Sequence, residues 1–366
     1  MNADSFGQLI LTGVPGPELD AESAALFRRV QPGGFIIFGR NIKSAAQLRR
    51  LLDDLRALSK TEPIITIDQE GGRVSRLRLI GNEPPSAQQL REKGDVSLVR
   101  QHGDITGRLL RLFGFNLDLC PVLDLSFDDE ADNSLRGRCY GKTVAEVVRL
   151  AGAFNDALRA QGIASCGKHF PGYSAATIDA HHELPKIERT REELEREEIA
   201  VFRHFAPHVE SMMICHGWYP VFEPKKTPAS LSHRIVTELL REELHFEGLI
   251  MTDDLDMGAI LNQYDLDETI RLAVAAGTDL VMICHRVNQI DKVDAALTRL
   301  PRAQIDRALK SIARLKSKLA LPNEFSEPAF AALNDEIWRL RVAVLGEERA
   351  AERSLEDGKR SPVEMY

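Results

Sequence analysis

Eight short apolar runs, each followed by a stretch of helical periodicity, constrain this chain more than any other feature. The runs fall at 8–14, 34–38, 63–68, 116–125, 164–169, 211–216, 248–253 and 279–285. Runs such as Gly34-Phe35-Ile36-Ile37-Phe38 have no polar face. A strand that is apolar on both sides must be covered on both sides, as in a parallel sheet wrapped by helices. The intervening segments carry helix start signals. Ser44-x-x-Gln47, Thr143-x-x-Glu146 and Thr190-x-x-Glu193 have the capping-box spacing, and Ser232 is placed to cap a helix running toward Leu244. Strands and helices that alternate eight times predict an α/β fold, a single (β/α)8 barrel over residues 1–322. An open doubly wound sheet is the alternative, but its Gly-x-Gly-x-x-Gly turn is missing after the first strand.

The pattern changes after Leu321-Pro322. Residues 327–352 read as one further helix with Trp338 and Leu340 on its apolar side, so 323–366 is expected to be a C-terminal helical tail, not a separate domain. The last dozen or so residues are charged and expected to fray.

Composition narrows the function classes. With 43% hydrophobic residues, the 366-residue chain can bury a large core. A net charge of −8 with scattered basic residues argues against nucleic acid as a partner. No uncharged apolar run reaches the roughly 18 residues of a membrane span, and Met1-Asn2-Ala3-Asp4-Ser5 has no basic, then apolar, secretory pattern. Five cysteines (Cys120, Cys139, Cys166, Cys215 and Cys284) without a CxxC pair suit buried thiols in a reducing cytosol. The expected setting is therefore cytoplasmic, with no metal site; the oligomeric state stays open.

Polar residues gather where the chemistry of a barrel is built. Asp68-Gln69-Glu70, Asp124, Lys168-His169, His216, Asp253-Asp254 and His285 all stand at the C-terminal ends of expected strands, which converge on one face. After the third strand, Asp68-Gln69-Glu70-Gly71-Gly72-Arg73-Val74-Ser75-Arg76 pairs acids with arginines across two glycines. That segment can bracket sugar hydroxyls, or simply form a tight loop with an internal Asp–Arg pair. Beyond Lys168-His169-Phe170-Pro171-Gly172 a loop carries Asp179-Ala180-His181. Two residues apart on extended chain, the carboxylate can hold one imidazole nitrogen and leave the other to exchange protons. On the seventh strand, Asp253 and Asp254 point in opposite directions, so at most one enters the pocket, and periodicity does not say which.

Together these motifs resemble the β-N-acetylglucosaminidases of glycoside hydrolase family 3. The resemblance runs from about Leu11 to Leu319. Besides the Asp68 and Lys168 segments, it rests on Gly34-Phe35-Ile36-Ile37-Phe38-Gly39-Arg40-Asn41, Cys120-Pro121-Val122-Leu123-Asp124-Leu125, Pro228-Ala229-Ser230-Leu231-Ser232 and Thr252-Asp253-Asp254-Leu255-Asp256-Met257-Gly258. It implies Asp253 as the nucleophile, His181 oriented by Asp179 as the acid/base, and Asp68, Arg76, Arg138, Lys168 and His169 as sugar-binding positions. The implied reaction is retaining hydrolysis of terminal N-acetylglucosamine from muropeptides or chitooligosaccharides, without a cofactor.

One departure stands out. The family usually continues Pro-Gly with His-Gly-Asp, whereas this chain has Tyr173-Ser174-Ala175-Ala176-Thr177. Loop anchoring and rate are what the departure brings into question. The alternatives are a phosphorylase of the same family, since a His acid/base does not repel phosphate, and a catalytically impaired sugar-binding relative. A metal-dependent amidohydrolase would need His-x-His after the first strand, where Leu11-Thr12-Gly13-Val14-Pro15 stands instead.

Overall fold

The apolar runs become the staves of a closed barrel. The computed structural model describes residues 6–130 and 134–354. The barrel comprises β1 (Ile10–Gly13), β2 (Gly34–Ile37), β3 (Ile64–Ile67), β4 (Leu117–Asp118), β5 (Ala164–Phe170), β6 (Ser211–Ile214), β7 (Leu249–Asp254) and β8 (Leu280–Ile283). Successive strands lie side by side and parallel, and β1 closes the ring against β8 with Thr12 opposite Ile283. Every residue of β1, β2, β3, β6 and β8 is buried, as two-sided apolar runs require. The single (β/α)8 barrel expected from the sequence is the fold observed.

The helices form the outer layer: α1 (Ala21–Val30), α2 (Ala45–Leu58), α3 (Val96–Phe113), α4 (Val144–Ala160), α5 (Glu198–Phe205), α6 (Leu266–Ala276), α7 (Ile290–Leu297) and α8 (Arg302–Lys316). The three predicted capping boxes are present at Ser44, Thr143 and Thr190. Ser232 is not a cap. Its hydroxyl donates to Glu223, and the helix that follows, Arg234–Glu243, is wound as a π-helix from His233 without a side-chain cap.

The fourth strand is shorter than the 116–125 run suggests. Pro121 has no N–H to donate to a ladder. Beyond it the chain keeps to β5 through single bonds, such as Leu123 N–H to the Lys168 carbonyl at 2.6 Å.

The C-terminal segment folds as α9 (Glu327–Leu345), and the helix expected over 327–352 is interrupted at Gly346, where φ is 82°. Its buried stripe is Leu333, Ile337, Leu340, Arg341 and Val344. That spacing includes Leu340 but leaves Trp338, 38% exposed, off the apolar side where it was expected. The helix packs against α3: Glu336 pairs with Arg108, and Phe330 meets Phe113 edge-on at 5.4 Å. The first five residues and the charged stretch 355–366 lie outside the described residues. Among the described residues no helix is long and apolar enough to cross a membrane. The five cysteines are all buried free thiols.

Candidate active site

At the C-terminal ends of the strands lies a cavity with about 810 Å³ of empty space, counting its open mouth. Asp68, Arg76, Arg138, Lys168, His169, His181 and Asp253 all line it. Asp179 stands behind His181 and does not reach the cavity wall.

Two irregularities in the barrel ladder coincide with these side chains. Between β5 and β6, Gly167 faces Met212 but Phe170 faces Ile214, so an extra residue is accommodated at Lys168-His169. Between β7 and β8, Met251 faces Leu280 but Asp254 faces Met282, which places the second bulge at Thr252-Asp253. A bulge re-aims the side chains it carries, and these two sit where the chemistry is.

One wall is an ionic network. Lys168 Nζ donates to Asp68 Oδ1 at 2.7 Å and lies 2.6 Å from Glu70 Oε1. Arg138 clamps Glu70 with two bonds of 2.8 and 2.7 Å, and Arg76 lies 3.5 Å from Asp68. Burial alone would push both acids up. For Glu70 the charges of Arg138 and Lys168 outweigh it, and for Asp68 those of Lys168 and Arg76, so both carboxyls fall below their usual range. Lys168 moves oppositely: burial pulls it down, but Asp68 and Glu70 hold it above an ordinary lysine. The wall thus presents fixed charges with polar atoms arranged for hydroxyl groups.

His169 joins this wall to the barrel interior. Its Nδ1 lies 2.6 Å from Asp124 Oδ2, and its Nε2 lies 3.3 Å from Arg138 Nη2. An arginine can only donate, so Nε2 accepts and Nδ1–H donates to the carboxylate. That assigns the tautomer.

Both strand-end aspartates border the cavity, where at most one was expected, because the bulge at Thr252-Asp253 breaks the strict alternation of the strand; their carboxylates are engaged differently. The Asp254 carboxylate accepts Cys284 N–H at 3.2 Å and Asp256 N–H at 3.0 Å, and its other oxygen lies 3.3 Å from His285 Nε2. It ties β7 to β8. Asp253 accepts the Asp254 N–H at 2.8 Å and faces the cavity. Burial pushes the Asp253 carboxyl up, while His216, His169, the Asp254 N–H and His181 together bring it below the usual value. Burial also lowers the pKa of His216, so near neutrality the Asp254 N–H is the steadier of these supports. His216 itself is held by the Ser230 hydroxyl at 2.8 Å and the Asp254 carbonyl at 2.9 Å. An ionised carboxylate at a cavity wall is a competent nucleophile.

The Asp179–His181 pair has the geometry its spacing suggested. Asp179 Oδ1 lies 2.5 Å from His181 Nδ1 and accepts the His181 N–H at 3.0 Å. Burial raises the Asp179 carboxyl, but its bonds to His181 bring it below the usual value. An ionised Asp179 holds the proton on Nδ1, leaving Nε2 to take or give one. The loop is tied to the segment after β7: Gly258 N–H bonds the His181 carbonyl at 3.0 Å and Ala259 N–H the Ala180 carbonyl at 3.0 Å.

Sequence reasoning placed Glu70 and Asp124 at the strand ends without giving them a role, and passed over Ser230 within its motif, because their roles depend on which neighbours the fold brings near. Gly71 (φ 108°) and Gly72 (φ 55°) let the loop pass its own chain, for a Cβ on Gly71 would meet the Pro85 carbonyl oxygen at 2.3 Å. Among the described residues no three His, Cys, Asp or Glu side chains gather as a metal site requires.

Comparison with known proteins bears on this geometry. Residues 3–315 match the glycosyl hydrolase family 3 N-terminal domain. A β-hexosaminidase of Pseudomonas aeruginosa is 35% identical over 295 residues, covering 80% of this chain and 87% of the relative. A family 3 β-N-acetylglucosaminidase of Paenibacillus superposes with a TM-score of 0.85 at 32% identity, over 93% of this chain and 68% of that one. NagZ from Neisseria gonorrhoeae, solved in complex with N-trifluoroacetyl-D-glucosamine, superposes with a TM-score of 0.78 at 27% identity, over 90% and 96%.

Proposed function

The chain belongs to glycosyl hydrolase family 3 and is a glycoside hydrolase acting on β-N-acetylhexosaminides, and from that premise we propose that it is a retaining exo-β-N-acetylglucosaminidase working through Asp253 and His181. Both aspartates of β7 border the cavity, and the observation that supports Asp253 is how their carboxylates are engaged: Asp254 is taken up by the Cys284 and Asp256 N–H groups and His285, whereas Asp253, held below the usual carboxylate range, accepts the Asp254 N–H.

In the first step Asp253 attacks the anomeric carbon of the terminal sugar. The bond to the aglycone oxygen breaks, and that oxygen takes the proton from His181 Nε2. In the second step water attacks the same carbon, His181 accepts its proton, and the Asp253 carboxylate is released. Two inversions give net retention. Asp179 keeps Nδ1 protonated through both steps. Asp68, Arg76, Arg138, Lys168 and His169 hold the sugar for attack, at rigid positions fixed by the network described above. No cofactor takes part.

As substrates we propose N-acetylglucosaminyl muropeptides or short chitooligosaccharides in the cytoplasm, with residues 323–366 as a tail of the catalytic barrel. The likeness to β-hexosaminidases and to a structure holding an N-acylglucosamine supports this reading.

The test is to follow hydrolysis of a nitrophenyl β-N-acetylglucosaminide by proton NMR. Appearance of the β-anomer of N-acetylglucosamine before mutarotation supports the proposal, and the α-anomer first contradicts it. Acceleration by inorganic phosphate with formation of a sugar 1-phosphate would instead make the protein a phosphorylase.

A further inference from the structure

The residue that breaks the family pattern occupies a junction. Tyr173 follows Lys168-His169-Phe170-Pro171-Gly172 directly, and its side chain is 4% exposed at the cavity wall. Its hydroxyl donates to the Ile178 carbonyl at 3.0 Å and accepts the Ala180 N–H at 2.9 Å. These are the peptide groups on either side of Asp179. A hydroxyl has one proton to give, so donation to Ile178 and acceptance from Ala180 fix its rotation and bracket the Asp179 backbone from both ends.

The other end of Tyr173 is held just as firmly. Its backbone N–H donates to Asp124 Oδ1 at 2.6 Å, while Asp124 Oδ2 takes His169 Nδ1 at 2.6 Å and the His169 N–H at 3.1 Å. One buried carboxylate therefore positions a sugar-site imidazole through one oxygen and, through Tyr173, the loop of the second imidazole through the other. The neighbouring Ser174 hydroxyl accepts the Leu125 N–H at 2.9 Å and secures the same turn.

We propose that Tyr173 is a positioning residue, whose hydroxyl clasps the Asp179–His181 loop in working geometry so that the acid/base stands preformed in this chain. The inference rests on the reading of His181 as acid/base. It does not require Tyr173 to touch substrate. Among the described residues, the other bonds that tie this loop to the barrel come from the far side, from the Gly258 and Ala259 N–H groups and from Asn262 Nδ2 to the His182 carbonyl. A displacement of about 1 Å in a catalytic group is enough to cost roughly 100-fold in rate.

Tyr173→Phe tests this, since it removes the oxygen and keeps the ring. Two substrates are compared: a dinitrophenyl N-acetylglucosaminide, whose leaving group needs no proton, and chitobiose, whose leaving group does. The expected result is a fall in kcat/KM of about 30-fold or more on chitobiose and no more than about 3-fold on the activated glycoside. Equal losses on both, or none on either, would overturn the proposal.

Backbone hydrogen exchange gives a readout independent of catalysis. In the parent protein the Ala180 amide should be protected, and in Tyr173→Phe it should exchange at least about tenfold faster. Rapid exchange in the parent, or unchanged exchange in the variant, would overturn the clasp. A parent protein inactive on both substrates would overturn the hydrolase reading, while the exchange result would still decide whether the hydroxyl holds the loop.

Discussion

Asp253 and Asp254 are neighbours in the chain and are joined by a 2.8 Å bond from the Asp254 N–H to Asp253 Oδ1, yet their carboxylates serve different ends. The Asp254 side chain holds β7 to β8 and so helps keep the Asp253 backbone where it is. In the proposed mechanism this pair, redundant in sequence, is a nucleophile and its brace.

This separation is open to measurement. Asp253→Asn should lower turnover by about 10³-fold or more, as loss of a covalent nucleophile does. Asp254→Ala should behave otherwise. It leaves the Cys284 and Asp256 N–H groups without their acceptor, at about 1–3 kcal/mol for a buried group. A lowered thermal midpoint with Asp253 still able to react is expected; a variant of unchanged stability would contradict the assignment of Asp254.

Asp179→Asn should leave His181 without the charge that orients it. On chitobiose a loss of roughly 10²–10⁴-fold is expected, the range for removal of a positioned acid/base. With an activated aryl glycoside, azide should restore turnover and yield the β-glycosyl azide, because an anionic nucleophile needs no base. Absence of azide rescue would place the acid/base elsewhere.

The (β/α)8 barrel was legible because its evidence is periodic and local: apolar runs, capping boxes and polar residues at strand ends repeat around the ring. The Asp179–His181 pair was legible for the same reason, two residues apart on one loop. What the sequence did not disclose depends on neighbours distant in the chain. Glu70 matters because Arg138 and Lys168 converge on it, and the bulges at Lys168-His169 and Thr252-Asp253 follow from how adjacent strands register. Ser232 had the right residue type for a cap, but the helix beside it is wound differently and its hydroxyl found Glu223. Trp338 was expected on the apolar side with Leu340, but the buried stripe passes one residue away through Ile337.

The ionic wall should be intolerant of losing one partner. Arg138→Leu would leave Glu70 buried with Lys168 as its main counter-charge, and breaking a buried pair from one side costs about 3–5 kcal/mol. A drop of several degrees in the thermal midpoint, together with a raised KM, is the expected outcome. A raised KM alone would mean that the pair contributes binding without stability.

Asp118 should set a pH dependence of stability. It lies buried below the wall, accepting the Gln69 N–H at 3.1 Å, and burial raises its pKa to about 8 against 3.8 for a free carboxyl. Between those values the folded chain binds a proton that the unfolded chain does not, so this residue's contribution falls as pH rises from about 4 to 8. Asp118→Asn keeps an acceptor for Gln69 and removes the titration. Its thermal midpoint should gain on the parent protein as pH goes from 5 to 8; a constant difference between the two would contradict this.

The central claim is that Asp253 forms the glycosyl-enzyme. It is tested most directly with a 5-fluoro N-acetylglucosaminyl fluoride, which slows release of the intermediate, followed by peptide mapping in a mass spectrometer. The account predicts a single sugar adduct on the Asp253 carboxyl, absent in Asp253→Asn and retained in Asp254→Ala. A sugar adduct on another residue, or steady hydrolysis of N-acetylglucosaminides with no adduct at Asp253, would contradict it.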